Sequence, residues 1–102
     1  MSGFQKLLDA DRRLVILRAL QEDSGYDLNE YVLQSILEAL GHTVSRDRLR
    51  ADLAWLEEQG LISLSDVAGV KVAKLTSRGS DVAAGRTTVP GVKRPRPGDG
   101  GL

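Results

Sequence analysis

The sequence predicts an α+β domain over residues 1–85, built from three helices, a two-stranded β-hairpin and a short closing helix. Two features of the pattern carry that expectation. Apolar residues recur at three- and four-residue intervals as far as about Gln59, then alternate with polar residues from Leu61 to Thr76. Glycines 25, 41, 60, 69 and 85 fall at the junctions, where helix ends and tight turns favour a residue without a Cβ.

"DADRRLVILRALQEDSG" reads as the first helix, capped by Asp9 or Asp11, with Gly25 just beyond its end. Its apolar residues lie on two sides, Ile16, Leu17 and Leu20 on one and Leu8, Val15 and Ala19 on the other. A helix apolar on two sides is buried inside the domain or against a second subunit, and the second alternative hints at a homodimer. "YDLNEYVLQSILEALGH" reads as the second helix, with Asp27 as N-cap, Glu30 completing a capping box, and Leu28, Val32, Ile36 and Ala39 as its stripe. Tyr26 and Tyr31 are assigned to the packing of this helix, and His42 to the turn at its end.

The third helix is capped by Ser45, buries Leu49, Leu53 and Leu56, and stops at Gly60. Ile62 and Leu64 then alternate with Ser63 and Ser65, and Val70 and Val72 flank Lys71, which gives a hairpin with Gly69 in its turn. "SRGSDVAAG" closes the domain as a short helix begun by Thr76 or Ser77 and ended by Gly85. Residues 86–102, "RTTVPGVKRPRPGDGGL", hold all three prolines and read as a flexible, basic, Pro/Gly-rich tail.

Composition narrows the chemistry. The 102 residues include no cysteine, so disulfides, thiolate metal sites and cysteine nucleophiles are excluded. His42 is the single histidine and cannot build a multi-histidine metal site, so neither metal nor cofactor is expected. His42, Ser45 and Asp47 lie close in sequence without a nucleophile elbow, so no catalysis is expected. "KLTSRGSDVAAG" lacks the glycine-lysine ending of a nucleotide-binding loop. No apolar run approaches the ~20 residues that span a bilayer. The opening "MSGFQKLLDADRR" lacks the basic-then-apolar order of a signal peptide, so a cytoplasmic protein is expected. The net charge is zero, but residues 86–102 hold four basic residues against one acidic.

The short "GHTV" link between the second and third helices matches a helix-turn-helix unit. A hairpin directly after it is the plan of a winged helix-turn-helix. "SRDRLRADLAWLEEQGLI" and "KLTSRGSDVA" resemble the recognition helix, wing and closing helix of bacterial regulators of the MarR and ArsR type, and "DADRRLVILRAL" resembles their first helix. The whole chain, including "GVKRPRPG", also resembles small winged-helix proteins carried by Mu-like prophages.

The resemblance implies a DNA-binding transcriptional regulator or phage accessory factor, with the third helix in the major groove and the wing on the backbone. The residues available for double-stranded DNA are then Thr43, Ser45, Arg46, Arg48 and Arg50 on the helix and Lys71, Lys74 and Arg78 around the wing. Lys93, Arg94 and Arg96 would add tail contacts. Around the third helix, Arg48 and Arg50 flank Asp47, Ala51 and Ala54 on the side away from the leucines. Residues 45–58 carry three positive and four negative charges, the mixture of an ordinary solvated face. A winged helix used for protein–protein interaction, through Trp55 or the tail and without DNA, is therefore the alternative.

Overall fold

The computed structural model describes residues 2–99 and Leu102. In chain order the elements are α1 (Gly3–Glu22), β1 (Asp27–Asn29), α2 (Glu30–Ala39), α3 (Arg46–Glu58), β2 (Ile62–Val67), β3 (Val70–Leu75) and α4 (Ser77–Ala83). The result is a winged-helix-like α+β fold whose sheet has three antiparallel strands in the order β1-β3-β2, one more than the expected hairpin.

α1 begins ahead of the expected Asp9 or Asp11, because Ser2 Oγ accepts from Gln5 N and "GFQKLL" continues the helix without a breaker. Asp9 is consequently an interior residue and accepts from Arg12 and Gln5. Leu14, Ile16, Leu17 and Leu20 place α1 at the centre of the core, against α2, α4 and β3. Both apolar sides of α1 are thus used within the chain over this stretch. Its first two turns differ, leaving Phe4 and Leu7 exposed.

β1 is the strand missing from the sequence reading. Asp23 Oδ2 accepts from Gly25 N and Asp27 N, and Tyr26 turns the chain with φ +60°. Leu75 N donates to Tyr26 O, and Leu28 then pairs with Ala73 of β3. Asp27 is therefore a strand residue, and Asn29 caps α2 by accepting from Val32 N. The shift also moves the buried stripe. Leu33 and Leu37 are fully buried, Ile36 is half-buried, and Val32 and Ala39 are exposed. Leu28 faces inward through strand pairing, so extending a helical period from it selects a line about 100° away from the Leu33–Leu37 line.

α3 follows the expectation, with Ser45 Oγ accepting from Arg48 N and Gly60 reversing the chain at φ +75°. Val67 pairs with Val70, so the wing turn is the two-residue loop Ala68–Gly69, both with positive φ, as a turn matched to strand twist requires. Thr76 Oγ1 accepts from Gly79 N to start α4 and donates to Gly60 O, which ties α4 to the end of α3.

Residues 86–102 were expected as a flexible tail. The structure lays their first part on the body: Val89 and Val92 are buried, Lys93 N donates to Ala10 O, and Arg13 Nη1 donates to Gly91 O. The two valines, set on either side of Pro90 and Gly91, supply the apolar contact that composition alone hides. Among the described residues, no helix is long and apolar enough to cross a membrane.

Candidate nucleic-acid interface

The turn between α2 and α3 exposes Thr43 and Ser45 at the start of α3, with Arg46, Arg48 and Arg50 following in its first turns. Ser45 is occupied as the cap, and two of the three arginines are also engaged. Both converge on Glu30, the first residue of α2, whose side chain is wholly buried.

Arg50 donates to both carboxylate oxygens of Glu30, Nε to Oε1 at 2.6 Å and Nη2 to Oε2 at 2.9 Å. Lys71 N donates to Oε2 at 2.6 Å, and Arg50 Nη2 also reaches the wing carbonyl of Gly69 at 3.3 Å. One buried carboxylate therefore joins α2, α3 and the wing. The Arg50 hydrogen bonds outweigh desolvation and bring the Glu30 carboxyl down to about 2.

Arg46 lies over the Tyr31 ring, 3.8 Å from its centroid, and donates through Nη2 to Gln34 Oε1 at 2.8 Å. Its Nε is buried without a hydrogen-bond partner among the described residues, 3.7 Å from Glu30 Oε1. Tyr31, expected to pack α2, is half exposed and serves as the platform for Arg46. Arg48 is different: its side chain is exposed and makes no ion pair among the described residues.

The other candidates are distributed around the molecule. Lys71 stands at the wing beside Arg50, with Nζ 3.0 Å from Asp66 Oδ2. Lys74 is exposed near the base of the wing, in register with Asp27 on β1 and Ser63 on β2. Arg78 Nε donates to Gln59 O at the far end of α3, roughly 16 Å along the helix axis from Arg48. Lys93 Nζ lies 3.3 Å from Asp11 Oδ1, and Asp11 Oδ2 lies 2.7 Å from His42 Nε2, so this part of the tail reaches the α2–α3 turn. Burial raises the Asp11 carboxyl pKa, but hydrogen bonds with His42 and Lys93 outweigh it and the net direction is down. Arg94 and Arg96 are exposed beside Pro95 and the end of α4. The structure thus gathers Arg46, Arg50 and Lys71 around Glu30, while Arg48 stands on the other flank of α3 and Lys74, Arg78, Arg94 and Arg96 take no part in that cluster.

The outward side of α3 carries Asp47, Ala51, Ala54 and Glu58, all exposed. Trp55 lies at its edge against α1, with the Arg13 guanidinium 4.2 Å from its ring centroid and Gly91 packed on its rim. Arg13 also pairs with Asp52, which with Arg12 and Asp9 forms a buried ion network between α1 and α3.

No protein-family model matches the chain. The chain is 54% identical over 91 residues to the uncharacterized protein gp26 of Escherichia phage Mu, an alignment that covers 89% of the chain and 94% of gp26. It belongs to the gp26 family of phage Mu. An uncharacterized protein of Haemophilus influenzae is 46% identical over 77 residues, 74% of each protein. Among solved structures, the complex structures of hsRosR-S1 and hsRosR-S4 are similar, each with a TM-score of 0.58 and 24% identity over 82% of the chain. These matches cover 67% and 65% of the hsRosR chains. At that identity the likeness concerns the fold, and it agrees with a winged-helix-like arrangement.

In this gp26-family fold, the residues that sequence reasoning missed are Glu30, Gln34 and Tyr31 on α2 and Asp52 on α3. Glu30 was assigned to a capping box, a role that Asn29 removes by starting the helix one residue before it. One signal was available: Arg46 and Arg50 are four apart and share a helix face, so a single carboxylate opposite that face can meet both.

Proposed function

We propose that the protein binds double-stranded DNA as a phage-type winged-helix factor, with the start of α3 in the major groove and the wing on the backbone. Arg48 is the leading contact, because it is the exposed α3 arginine that no carboxylate holds. Thr43 is exposed in the turn that leads into α3, and Lys71 accompanies the wing. Arginine can pair bidentately with guanine or clamp a phosphate, so one free guanidinium at a helix start suits either contact. Arg46 and Arg50 act in this reading as braces that fix α3 against α2 and the wing. Regulation of transcription is the activity this reading implies, a homodimer its functional form, and no catalytic step is part of it.

The observation that carries the reading is the winged-helix-like architecture with an accessible α3 start, joined rigidly to the wing through Glu30. Titration of a duplex library at low and moderate salt tests it. Binding that weakens with salt, and weakens further when Arg48 becomes alanine, is the expected result. Absence of duplex binding at low salt overturns it.

A second reading, a protein-interaction module, draws on one specific observation. The outward side of α3 pairs acidic Asp47 and Glu58 with the small residues Ala51 and Ala54 and holds no cation between them. Capture of a defined protein partner that is lost when Ala54 becomes arginine, without duplex affinity, would decide for it.

A further inference from the structure

We infer that Glu30 is a specificity-determining residue that withholds Arg46 and Arg50 from polyanions, leaving Arg48 as the available cation of α3. The inference rests on the duplex-binding reading for its biological meaning, but its physical content concerns only how strongly the α3 end attracts negative charge.

A carboxylate removed from water requires compensation, and Glu30 obtains it from two Arg50 donors and the Lys71 amide, with the Arg46 guanidinium close by. Those same bonds fix Arg50. Arg50 cannot extend to a phosphate without leaving Glu30 short of two charge-assisted hydrogen bonds. Arg46 is held by Gln34 and the Tyr31 ring, and its Nε is turned toward Glu30.

Glu30 also cancels one of the two positive charges locally. Lys71 at the wing is paired in turn with Asp66, so that lysine is likewise engaged. The α3 end of the chain is therefore less cationic than its sequence of three arginines in five residues indicates. Such restraint has a use. Phosphate contacts supply sequence-independent affinity, so a reader with fewer free cations binds arbitrary duplex less and depends more on its base contacts.

Replacing Glu30 with glutamine keeps the shape and an acceptor for the Lys71 amide while removing the charge that holds Arg50. Elution of the wild type and Glu30→Gln from a heparin column, with circular dichroism to verify the fold, is the first measurement. The second is titration of a random-sequence duplex across a salt series. The variant is expected to elute from heparin at higher salt. It should bind random duplex severalfold more tightly, with a log–log salt slope steeper by about 0.9 for each arginine released onto a phosphate. Adding Arg50→Gln to the variant should cancel the gain.

A folded Glu30→Gln protein whose heparin elution and salt slope are unchanged or reduced overturns the inference, as does a gain that persists in full when Arg50→Gln is added. If the variant does not fold, Arg46→Gln and Arg48→Gln are compared in the otherwise native chain. Withholding requires the Arg48 change to flatten the heparin salt dependence clearly more than the Arg46 change, and equal effects overturn it. If heparin elution shifts as expected while no form of the protein binds duplex, the withholding stands and the duplex-binding reading falls.

Discussion

Gly91 and Trp55 meet so closely that a Cβ added to the glycine would stand 2.9 Å from two atoms of the indole ring. The glycine backbone has φ +97°, in the region that side chains rarely enter. Its carbonyl accepts from Arg13 Nη1, and the Arg13 guanidinium covers the Trp55 ring. Changing Gly91 to alanine combines backbone strain with overpacking, so a loss of about 1–3 kcal/mol is expected. The segment around Val89 and Val92 should lift from its seat, and Trp55 should become more hydrated. A red shift of tryptophan emission together with a lower melting temperature is the predicted signature. An unchanged emission spectrum would mean that this segment does not shield the ring in solution.

The buried network between α1 and α3 gives a second expectation. Arg12 Nε lies 2.5 Å from Asp52 Oδ2, and Arg12 Nη2 lies 2.7 Å from Asp9 Oδ1, with the arginine and Asp52 both buried. Replacing Arg12 with leucine leaves Asp9 without its ion pair and Asp52 with Arg13 alone. Breaking a buried pair from one side costs about 3–5 kcal/mol, far more than losing a surface pair. For a domain of this size that lowers the melting temperature by roughly 12 °C or more. Thermal denaturation followed by circular dichroism measures it, and a change comparable to that of the exposed Arg86–Asp81 pair would contradict it.

Acid stability follows from Glu30. Its carboxyl is brought from 4.5 to about 2 in the folded protein, chiefly by the Arg50 hydrogen bonds. A carboxyl whose folded pKa lies below its unfolded one contributes stability that is complete above the unfolded value and disappears as pH falls through the folded value. The contribution of Glu30 is therefore present above about pH 4.5 and lost progressively toward pH 2. Asp9 and Asp66 are also lowered and act in the same direction. Urea denaturation at intervals between these limits should show a steady fall in stability. In Glu30→Gln the same curve should be flatter, although the protein is less stable at neutral pH.

Sequence alone was sufficient for α3, the wing and α4, because each carries its own local signals. Ser45 and Thr76 cap their helices, and Gly60 and Gly69 sit where φ is positive. β1 was hidden because its three residues are too few to display alternation, and its pairing with β3 depends on a partner more than forty residues away. The candidate site divides in the same way. Arg48 can be read locally as an exposed cation, whereas the roles of Arg46 and Arg50 depend on Glu30, which only the packing of α2 against α3 brings near. Val89 and Val92 were similarly masked by the prolines and glycines around them.

The distribution of cations predicts an unequal mutational pattern. Among the described residues Arg48 is unpaired at the start of α3, whereas Arg78 lies at the other end of that helix with Nε committed to Gln59 O. Lys74 sits near the base of the wing, in register with Asp27 of β1 and away from the start of α3. If the start of α3 contacts DNA, Arg48→Ala should cost about 1–3 kcal/mol, equivalent to roughly a 5- to 150-fold loss of affinity. Arg78→Ala and Lys74→Ala should each cost much less and leave sequence preference intact. Competition titrations of the three variants against one duplex, at a single fixed salt concentration, make the comparison directly. Equal losses at all three positions would indicate a diffuse electrostatic surface and would remove the reason for assigning Arg48 the leading contact.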